Sequence, residues 1–505
     1  MRALSTEAKI AVIGAGAMGA GIAQVAAQAG HSVTLYDMRD GSAAQAIDAI
    51  DRQLGKRVEA GKLDADKRTA TVARLKAADS IESLADSGLV IEAIVEDLDV
   101  KRRLLTQLEA LCSAECILAS NTSSLSVTAL AAGLQHPERV VGMHFFNPAP
   151  VMALVEVVSG LATSRATARC IHSTAAAWGK KPVHTRSTPG FIVNRVARPF
   201  YAESLRALQE GVADCATLDA LMRDAGAFRM GAFELTDLIG HDVNYAVTYS
   251  VFNAYYNDMR FQPSLMQKEL VDAGHLGRKS GQGFYRYDAD AEKPRADELS
   301  ADSPVETCVV EGSLGVADGL IERIKAAGIT VIQRDGRGLL RVGDAVVALS
   351  DGRMACQRSQ EEGQANLILI DLAKDYANAS RLGLSYAKGT SSEALDQVVS
   401  LLAKCEIKAS LLADTPGLIV LRTVAMLANE AADAALHNVG SAADIDLAMC
   451  AGLNYPLGPL AWADQIGLPA VLKTLINLQG AYGEERYRPS LLLRRHVAQG
   501  SRFHD

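Results

Sequence analysis

The segment GMHFFNPAPVMALVEV holds two side chains that can take or give a proton near neutral pH, His144 and Glu156. They stand twelve positions apart in a run that is otherwise largely apolar. An imidazole and a carboxylate can exchange protons with a bound ligand, and they can equally satisfy each other inside a core. The segment alone leaves both interpretations open, so the elements around it have to be considered.

A glycine-rich turn near the N-terminus is the first of these elements. The sequence KIAVIGAGAMGAGIAQVAAQAGHSVTLYD predicts strand, turn, helix and strand, a βαβ unit, and not an incidental turn. In such a unit Gly14 permits the tight turn, Gly16 lets the backbone approach a pyrophosphate, and Gly19 lets helix and strand pack closely. Asp37 ends the second strand, where a carboxylate accepts from both ribose hydroxyls and repels a 2′-phosphate. The pattern predicts NAD rather than NADP, and Arg39 slightly weakens that preference.

Three further segments carry short β-rich runs followed by polar or turn residues: GLVIEAIVED, CILASNTSSLSVTAL and RVVGMHFFNP. They predict additional strands of one mainly parallel sheet. Ligands bind outside the carboxyl ends of such strands, so we expect Glu96, residues 121–124 and residues 144–147 to line one crevice. From Thr188 the pattern becomes helical, and a polar stretch at residues 288–304 predicts a linker.

Composition limits the partners of the chain. A formal net charge of −8 argues against a general nucleic-acid or membrane-surface binder. The eight cysteines show no C-x-x-C motif and no paired histidine spacing, so neither a metal site nor a disulfide framework is predicted. With no secretory leader and no run of about 18 apolar residues, we expect a soluble, cytoplasmic protein. One basic cluster is either a solvated helix face or a site for a polyanionic ligand, and its members are Lys56, Arg57, Lys62, Lys67 and Arg68.

An internal repeat divides the chain. The sequence TPGLIVLRTVAMLANEAADAALHNVG, which begins at Thr415, repeats the sequence from Thr188 at an offset of 227 residues. The helical segment is therefore predicted to occur twice.

A weaker repeat of the glycine turn lies at an offset of 298 residues. Because the offset has fallen to 227 residues by the helical segment, the second copy of the sheet domain is shorter than the first by about 71 residues. Gly312 stands opposite Gly14 and Asp335 opposite Asp37, but Leu314 and Ala317 occupy the places of the other two glycines. This copy keeps the βαβ pattern without the close approach to a pyrophosphate. We expect that it binds no dinucleotide.

The repeat also tests the titratable pair. At the 227-residue offset, the residues opposite His144, Glu156 and Asn194 are Asp371, Gly383 and Leu421. The apolar pattern around these positions survives while the three polar residues are absent. A role in folding would favour their retention, so the repeat favours a functional role for the pair.

The motifs GAGAMG with Asp37, NTSSL, HFFNPAPVMALVEVV and TPGFIVNR, in this order, resemble those of the L-3-hydroxyacyl-CoA dehydrogenases of β-oxidation pathways. The duplicated form is similar to bacterial members that act on 3-hydroxybutyryl-CoA or, in phenylacetate catabolism, on 3-hydroxyadipyl-CoA. The resemblance implies an α/β Rossmann domain followed by an all-α helical domain, then a degenerate Rossmann-like domain and a second helical copy. The predicted boundaries are 1–187, 188–290, a linker at 291–304, 305–413 and 414–505.

The resemblance also implies a reaction, the reversible NAD-dependent oxidation of a 3-hydroxyacyl-CoA. His144 and Glu156 match the family's catalytic dyad, in which the imidazole takes the alcohol proton and the carboxylate fixes its tautomer. Ser123 and Asn194 match the residues that hold the substrate oxygen and the thioester carbonyl. A helix cap for Ser123 and a turn amide for Asn194 are the alternatives.

Cofactor and substrate contacts follow from the same matching. Glu96, Lys101 and Asn147, with Ser123, match positions around the nicotinamide ribose, where ordinary surface polar residues are the alternative. Lys56 and Lys62 are the nearest candidates for the CoA phosphates.

Arg229 stands where the family usually has proline, and the second copy has YPLGP at the corresponding place. It either pairs with a distal carboxylate of the acyl chain or is a solvated arginine. The helical domains form the dimer in this family, which implies a possible homodimer here.

Two other functions compete with this one. A catalytically inactive CoA- or NAD-binding subunit is disfavoured by the complete set of polar residues. A different Rossmann dehydrogenase, such as a 6-phosphogluconate-type enzyme, shares the glycine turn but relies on a catalytic lysine and lacks HFFNP. Neither acyl-chain preference nor oligomeric state follows from the sequence.

Overall fold

The computed structural model describes residues 2–505, and the chain forms two compact units. The first unit contains the segment that ends at Arg195 together with His437–Leu453. The second contains Val196–Leu436 and Asn454–Asp505. A segment of the C-terminal repeat therefore belongs to the N-terminal unit, which the sequence did not indicate.

Fifteen strands form two sheets among the described residues. In chain order they are β1 Ile10–Ile13, β2 Val33–Tyr36, β3 Leu75–Ala78, β4 Leu89–Glu92, β5 Ile117–Ser120, β6 Val140–Phe145, β7 Leu154–Ser159, β8 Lys181–Arg186, β9 Thr307–Glu311, β10 Thr330–Arg334, β11 Leu339–Val342, β12 Ala345–Leu349, β13 Leu367–Ile370, β14 Arg381–Tyr386 and β15 Lys408–Leu411.

The α-helices surround the sheets and form the helical copies. They are α1 Ala17–Gln28, α2 Ser42–Glu59, α3 Ala65–Ala73, α4 Leu98–Leu111, α5 Val127–Ala131, α6 Arg165–Ala177, α7 Val193–Val196, α8 Arg198–Gln209, α9 Cys215–Asp224, α10 Ala232–Ile239, α11 His241–Ala254, α12 Leu265–Asp272, α13 Gly319–Ala326, α14 Ala355–Glu362, α15 Ser392–Lys404, α16 Val420–Leu436, α17 Ala442–Leu453, α18 Pro459–Ile466, α19 Leu468–Tyr482 and α20 Leu491–Gln499.

The first sheet has the order β3-β2-β1-β4-β5-β6-β7-β8, and β6 and β7 are its only antiparallel neighbours. Its central strands are buried on both faces. Ile10 and Val12 belong to one hydrophobic cluster, and Ala11 and Ile13 belong to the other. This alternation is expected of a strand covered by helices on both sides. The predicted α/β Rossmann fold is confirmed.

The second sheet is a reduced version with the order β10-β9-β11-β12-β13-β14-β15. Strand β11 occupies the place that β4 has in the first sheet, but it runs antiparallel to β9 and β12. The short segment 335–344 that contains β11 replaces residues 37–116 of the first copy, which contain α2, α3, β3, β4 and α4, and this accounts for the residues missing from the repeat. The predicted degenerate Rossmann-like domain is confirmed.

The two copies exchange one helix. α17, from the second copy, packs on β7 and β8 in the first unit, where the backbone N–H of Arg186 donates to Val439 at 2.9 Å. Its counterpart α9, from the first copy, packs on β14 in the second unit, where the N–H of Lys374 donates to Ala225 at 2.8 Å. Each sheet is thus covered by a helix from the other half of the sequence.

The predicted linker at residues 291–304 packs against the second unit. The N–H of Leu299 donates to Ala409 at 2.8 Å, and the carbonyl of Asp297 accepts from Ser410 at 2.6 Å. The five predicted domain boundaries remain a prediction, since the compact units follow a different division. Among the described residues no helix is long and apolar enough to cross a membrane.

Candidate active site

The glycine turn connects β1 to α1 and has the space that a dinucleotide requires. Gly14 has a φ of +100°, and a Cβ there would lie 2.6 Å from the carbonyl oxygen of Ala93. A Cβ at Gly19 would lie 1.8 Å from the Gly14 carbonyl oxygen, whereas one at Gly16 would meet nothing within 4 Å. Two glycines therefore allow close packing and Gly16 leaves open space beside the N-terminus of α1, an arrangement that fits a pyrophosphate.

Asp37 follows β2 and is held close to this turn. Its Oδ2 accepts from the N–H of Ala15 at 2.8 Å, and its Oδ1 accepts from the backbone N–H of Arg39 at 2.9 Å and from Arg39 Nε at 3.2 Å. Burial raises the pKa of the Asp37 carboxyl, but these hydrogen bonds outweigh burial and the pKa lies below its ordinary value. The carboxylate is therefore ionised and fixed beside the glycine turn.

A buried ion pair lies at the carboxyl ends of the neighbouring strands β4 and β5. Lys101 Nζ donates to Glu92 Oε1 at 2.9 Å and to Oε2 at 2.8 Å, and both side chains are 1% exposed. Ser120, the register partner of Glu92, donates its hydroxyl to the same carboxylate. Since the charge of a buried lysine requires a partner, Glu92 fixes Lys101 in this position.

Lys101 also reaches a second carboxylate, Glu96, at 3.3 Å. Glu96 Oε1 accepts from Thr122 Oγ1 at 2.7 Å, from the N–H of Ser123 at 2.9 Å and from Ser124 Oγ at 3.0 Å. Burial raises the pKa of Glu96, but these donors and Lys101 outweigh burial and the pKa is lowered. Glu96 thus holds the NTSSL loop, and the exposed Ser123 is presented at its surface.

The same loop is tied to the strand that carries the histidine. Asn121 Oδ1 accepts from the N–H of Phe145, the residue after His144, at 2.9 Å. The loop that carries Ser123 and the strand that carries His144 are therefore joined by a hydrogen bond, in agreement with the expectation that both segments line one crevice.

His144 and Glu156 are direct partners across the antiparallel pair β6 and β7. The twelve-residue spacing is the length of a hairpin connection that brings the two residues to the same rung of the ladder. His144 Nδ1 lies 2.8 Å from Glu156 Oε2, and the residues are 6% and 1% exposed. Because Glu156 engages Nδ1, Nε2 is the ring nitrogen that remains for proton exchange with a ligand.

Glu156 has a second contact that the sequence did not reveal. Its Oε1 accepts from the backbone N–H groups of Ile192 at 2.9 Å and Val193 at 3.0 Å, at the start of α7. Phe146 and Phe191 flank the imidazole, with ring centroids 4.6 Å and 5.8 Å from it. The dyad is thus fixed by a helix start on one side and aromatic rings on the other.

The remaining predicted residues vary in their placement. Asn194 is half-buried in α7, directly after the residues bonded to Glu156. Asn147 is exposed in a loop that Lys180 holds, since Lys180 Nζ donates to Ala149 at 2.5 Å and to Met152 at 2.8 Å. Both lie in the first unit with the dyad.

The candidate substrate residues are less closely connected to the dyad. Lys56 and Lys62 are exposed at the end of α2 and in the turn that follows it. From the same basic cluster, Arg68 makes a two-point contact with Asp51 at 2.7 and 2.9 Å, so it stabilises the helices. Arg229 is exposed between α9 and α10 in the second unit. Their roles remain predictions.

Glu92 is the site residue that sequence reasoning missed. It ends a strand whose other residues are Leu, Val and Ile, so the pattern indicates a run of core positions and not a functional carboxylate. A carboxylate at the end of a fully buried strand was the available signal, since such a group requires a partner.

The second half has a single carboxylate at the corresponding place. Asp371, which stands opposite His144, accepts from the N–H groups of Ile419 at 3.0 Å and Val420 at 2.8 Å, the counterparts of Ile192 and Val193. Its other oxygen accepts from Leu421 at 3.0 Å. The helix start therefore keeps a carboxylate partner in both halves, so Glu156 also has a structural contact that the comparison of the repeats did not indicate.

The glycine turn of the second half has an internal carboxylate bound to its backbone. Asp318 accepts from the N–H of Leu314 at 2.7 Å and from Ser313 Oγ at 2.8 Å. A Cβ at Gly312 would lie 2.5 Å from the carbonyl oxygen of Gly336, in the segment leading to the β11 hairpin. Asp318 therefore engages the N–H of Leu314, the residue that stands opposite Gly16.

Comparisons with known proteins give one consistent family. The model for the 3-hydroxyacyl-CoA dehydrogenase NAD binding domain matches residues 9–188, and the model for the C-terminal domain of the same family matches both 190–287 and 417–502. A third, the 3-hydroxybutyryl-CoA dehydrogenase reduced Rossmann-fold domain, matches 347–416.

The relatives agree with this assignment. The chain is 44% identical over 485 residues to 3-hydroxyadipyl-CoA dehydrogenase of Escherichia coli K12, covering 96% of each chain. The crystal structure of 3-hydroxybutyryl-CoA dehydrogenase from Escherichia coli K12 superposes with a TM-score of 0.89 at 43% identity, covering 98% of this chain and 99% of that one. The (S)-3-hydroxybutyryl-CoA dehydrogenase of Ralstonia eutropha, at 36% identity and a TM-score of 0.54, matches 55% of this chain and 99% of its own.

Proposed function

This chain belongs to the 3-hydroxyacyl-CoA dehydrogenase family, and we propose that its N-terminal half oxidises an (S)-3-hydroxyacyl-CoA reversibly to the 3-oxoacyl-CoA with NAD. The observation that carries this proposal is the 2.8 Å contact between His144 Nδ1 and Glu156 Oε2 on one strand pair. The glycine turn beside it has the space for a dinucleotide.

His144 acts as the base in the oxidative direction. Its Nε2 takes the proton of the C3 hydroxyl as the C3 hydrogen leaves with its electron pair, and it returns the proton in the reverse reaction. Glu156 holds Nδ1 at 2.8 Å, so it fixes the orientation of the ring and places a carboxylate beside the positive charge that develops during proton transfer.

NAD supplies the hydride acceptor when it is bound. The residues that fit it are Gly14, Gly16 and Gly19 at the pyrophosphate and Asp37 at the adenosine ribose. Glu96, Lys101 and Asn147 are proposed for the nicotinamide ribose. Of these, Lys101 acts through its contacts with the two carboxylates, because it is 1% exposed.

Ser123 and Asn194 are proposed to hold the C3 oxygen and the thioester carbonyl. The support for Ser123 is its exposure on a loop that Glu96 and Asn121 fix. A fixed donor polarises the oxygen without reorganising during the reaction, so it contributes more than a mobile one.

The acyl chain is proposed to be 3-hydroxybutyryl or 3-hydroxyadipyl, in fatty-acid or phenylacetate catabolism. Arg229 would discriminate between them by pairing with the distal carboxylate of the adipyl chain. Comparing kcat/KM for both substrates in the wild type and in Arg229→Ala tests this. A selective loss with 3-hydroxyadipyl-CoA supports the role, and an equal effect on both substrates excludes it.

The reaction itself is tested by following NADH oxidation with acetoacetyl-CoA. Loss of NADH absorbance that depends on His144 supports the proposal. An inactive wild type that still binds NAD would instead indicate a binding subunit, and an active His144→Ala variant would indicate a different Rossmann dehydrogenase.

We also propose that the second helical copy takes the place of a partner subunit. In the second unit α8 packs against α16, its repeat counterpart, and the rings of the equivalent residues Phe228 and Tyr455 lie 5.1 Å apart. Contact between equivalent residues is the mark of two-fold related copies. Light scattering that gives a monomer mass supports this, and a dimer mass supports the homodimer.

The eight free cysteines fit a reducing, cytoplasmic location.

A further inference from the structure

A cavity of about 460 Å³ in the second unit is lined by none of the residues assigned above. Its walls come from both helical copies: α8, Thr248 and residues 260–267 from the first, and residues 482–486 from the second. Its volume lies within the range of small-molecule sites, about 300–1,000 Å³.

The wall of this cavity is unusually cationic. It carries four guanidinium groups and two carboxylates, belonging to Arg198, Arg206, Arg260, Arg486, Glu210 and Glu484. Three of the arginines are only 4–5% exposed. Burying a charged group costs free energy unless an opposite charge or hydrogen bonds offset it. The partners of each arginine therefore show which one has room for a bound anion.

Arg260 and Arg486 occupy equivalent places, in MRFQPSL and ERYRPSL, but they meet different partners. Arg260 Nη1 contacts Glu430 at 3.3 Å and also Asp433 on α16, and these carboxylates outweigh burial and raise the pKa of Arg260. At the 227-residue offset the counterpart of Asp433 is Arg206. On the Arg486 side, a carboxylate has therefore been replaced by a second guanidinium.

Arg486 is incompletely compensated as a result. Burial lowers its pKa, the neighbouring Glu203 opposes this and Arg206 adds to it. Its Nη2 donates to Gln262 Oε1 at 3.0 Å, but its Nε is buried without a hydrogen-bond partner among the described residues and lies 3.4 Å from a carboxylate oxygen of Glu484. Glu484 is shared, because both its oxygens accept from Arg206 at 3.0 and 3.1 Å.

The other carboxylate of the wall is already occupied. Glu210 accepts from Arg422 at 2.9 Å and from the hydroxyl of Tyr482 at 2.8 Å. Leu205 and Phe261 give the cavity apolar wall as well. A ligand that fits these features has more than one anionic group on a short skeleton.

We propose that this cavity binds a compact polyanion that carries two or more carboxylate or phosphate groups, and that the bound anion links the two helical copies. Guanidinium forks bind both kinds of oxyanion in a two-point geometry. Arg486 and Arg206 are the proposed principal ligands, and the half-exposed Glu484 is the group that the anion displaces.

Isothermal titration of the full chain with citrate and with pyrophosphate tests the proposal. NAD is kept saturating so that the dinucleotide site is filled, and sodium chloride holds ionic strength constant. We expect one site per chain, a raised melting temperature, and affinity at least about 10-fold lower in Arg206→Met and Arg486→Met. Arg495→Met is the matched control, because it removes an exposed arginine of the same unit that does not line the cavity, and it should leave the affinity unchanged.

Glu484→Gln is the decisive second variant. It removes the charge that the anion has to displace, so binding is expected to tighten several-fold, and the side chain is half-exposed, so folding should be unaffected. It keeps the test valid if Arg486→Met does not fold. Preference for citrate identifies a carboxylate ligand, and preference for pyrophosphate identifies a phosphate ligand. Absence of binding by both probes, or unchanged affinity in the arginine and Glu484 variants, overturns the proposal.

Discussion

Both halves of the molecule place a buried carboxylate at the start of an equivalent helix, but they take it from opposite strands. In the first half Glu156 on β7 accepts from Ile192 and Val193, and in the second Asp371, just after β13, accepts from their counterparts. The second half has Gly383 where Glu156 would stand. The structural contact is therefore common to both halves, and the imidazole is what the first half adds.

This comparison separates two roles of Glu156. One oxygen satisfies the helix start, which every helix N-terminus requires in some form. The other holds the histidine, which the second half lacks. The glycine turns also differ, because Gly16 leaves open space in the first turn, whereas Leu314 stands at that place in the second and its N–H donates to Asp318.

Removal of the imidazole should give the largest effect. We expect His144→Ala to lower kcat/KM for acetoacetyl-CoA reduction by about 10³-fold, because general acid–base catalysis at C3 is lost. The melting temperature should change little, since Glu156 still meets the helix start. The matched variant Asp371→Asn should leave kcat/KM within about twofold of wild type. A comparable loss of activity in both variants would contradict the division of roles.

Asp371→Ala should produce the largest loss of stability. It leaves the buried N–H groups of Ile419, Val420 and Leu421 without their acceptor, at a cost of about 3 kcal/mol. Thermal unfolding followed by circular dichroism should show a melting temperature lower by several degrees, with the KM for NADH unchanged. An unaltered melting temperature would show that water replaces the carboxylate.

Asp37→Asn should weaken NAD binding by about 10-fold, or about 1.4 kcal/mol, because an amide has only one acceptor oxygen for the ribose hydroxyls and the turn. The dissociation constant measured by titration calorimetry checks this. If affinity for NADP rises as that for NAD falls, Asp37 also excludes the 2′-phosphate.

Asp335→Asn is the corresponding change in the second half and should have the smallest effect. Because Leu314 and Ala317 replace two of the turn glycines and Asp318 accepts from the N–H of Leu314, we expect one NAD per chain before and after the substitution, and stability within about 0.5 kcal/mol of wild type. A second NAD per wild-type chain, lost in this variant, would show that the reduced copy still binds dinucleotide.

Much of the first half was predictable because its signals are local. The glycine spacing has a direct steric reason at Gly14 and Gly19, and the twelve-residue spacing of His144 and Glu156 corresponds to one rung of an antiparallel pair. Strand and helix patterns likewise depend on neighbouring residues. The fold class followed from these patterns.

What could not be predicted depends on contacts between distant segments. For Lys101 the sequence indicated a cofactor contact or a surface residue and not a buried ion pair, because its partner Glu92 lies within a strand of apolar residues. At Asp371 the sequence indicated only that the histidine is absent from the second copy. The role of Asp371 as an acceptor depends on a helix start 48 residues later in the chain. The antiparallel β11 and the exchanged helix α17 also have no local signature, since tertiary packing alone selects them.

The exchanged helix affects how the protein forms during synthesis. The first sheet has been translated once the ribosome reaches Arg195, but the helix that covers β7 and β8 ends at Leu453. At ordinary rates of translation this interval is roughly 10 to 50 s. During it the apolar surface of these strands lacks its cover, so the nascent first half is the species that chaperones should recognise, and conditions that slow elongation should increase its aggregation.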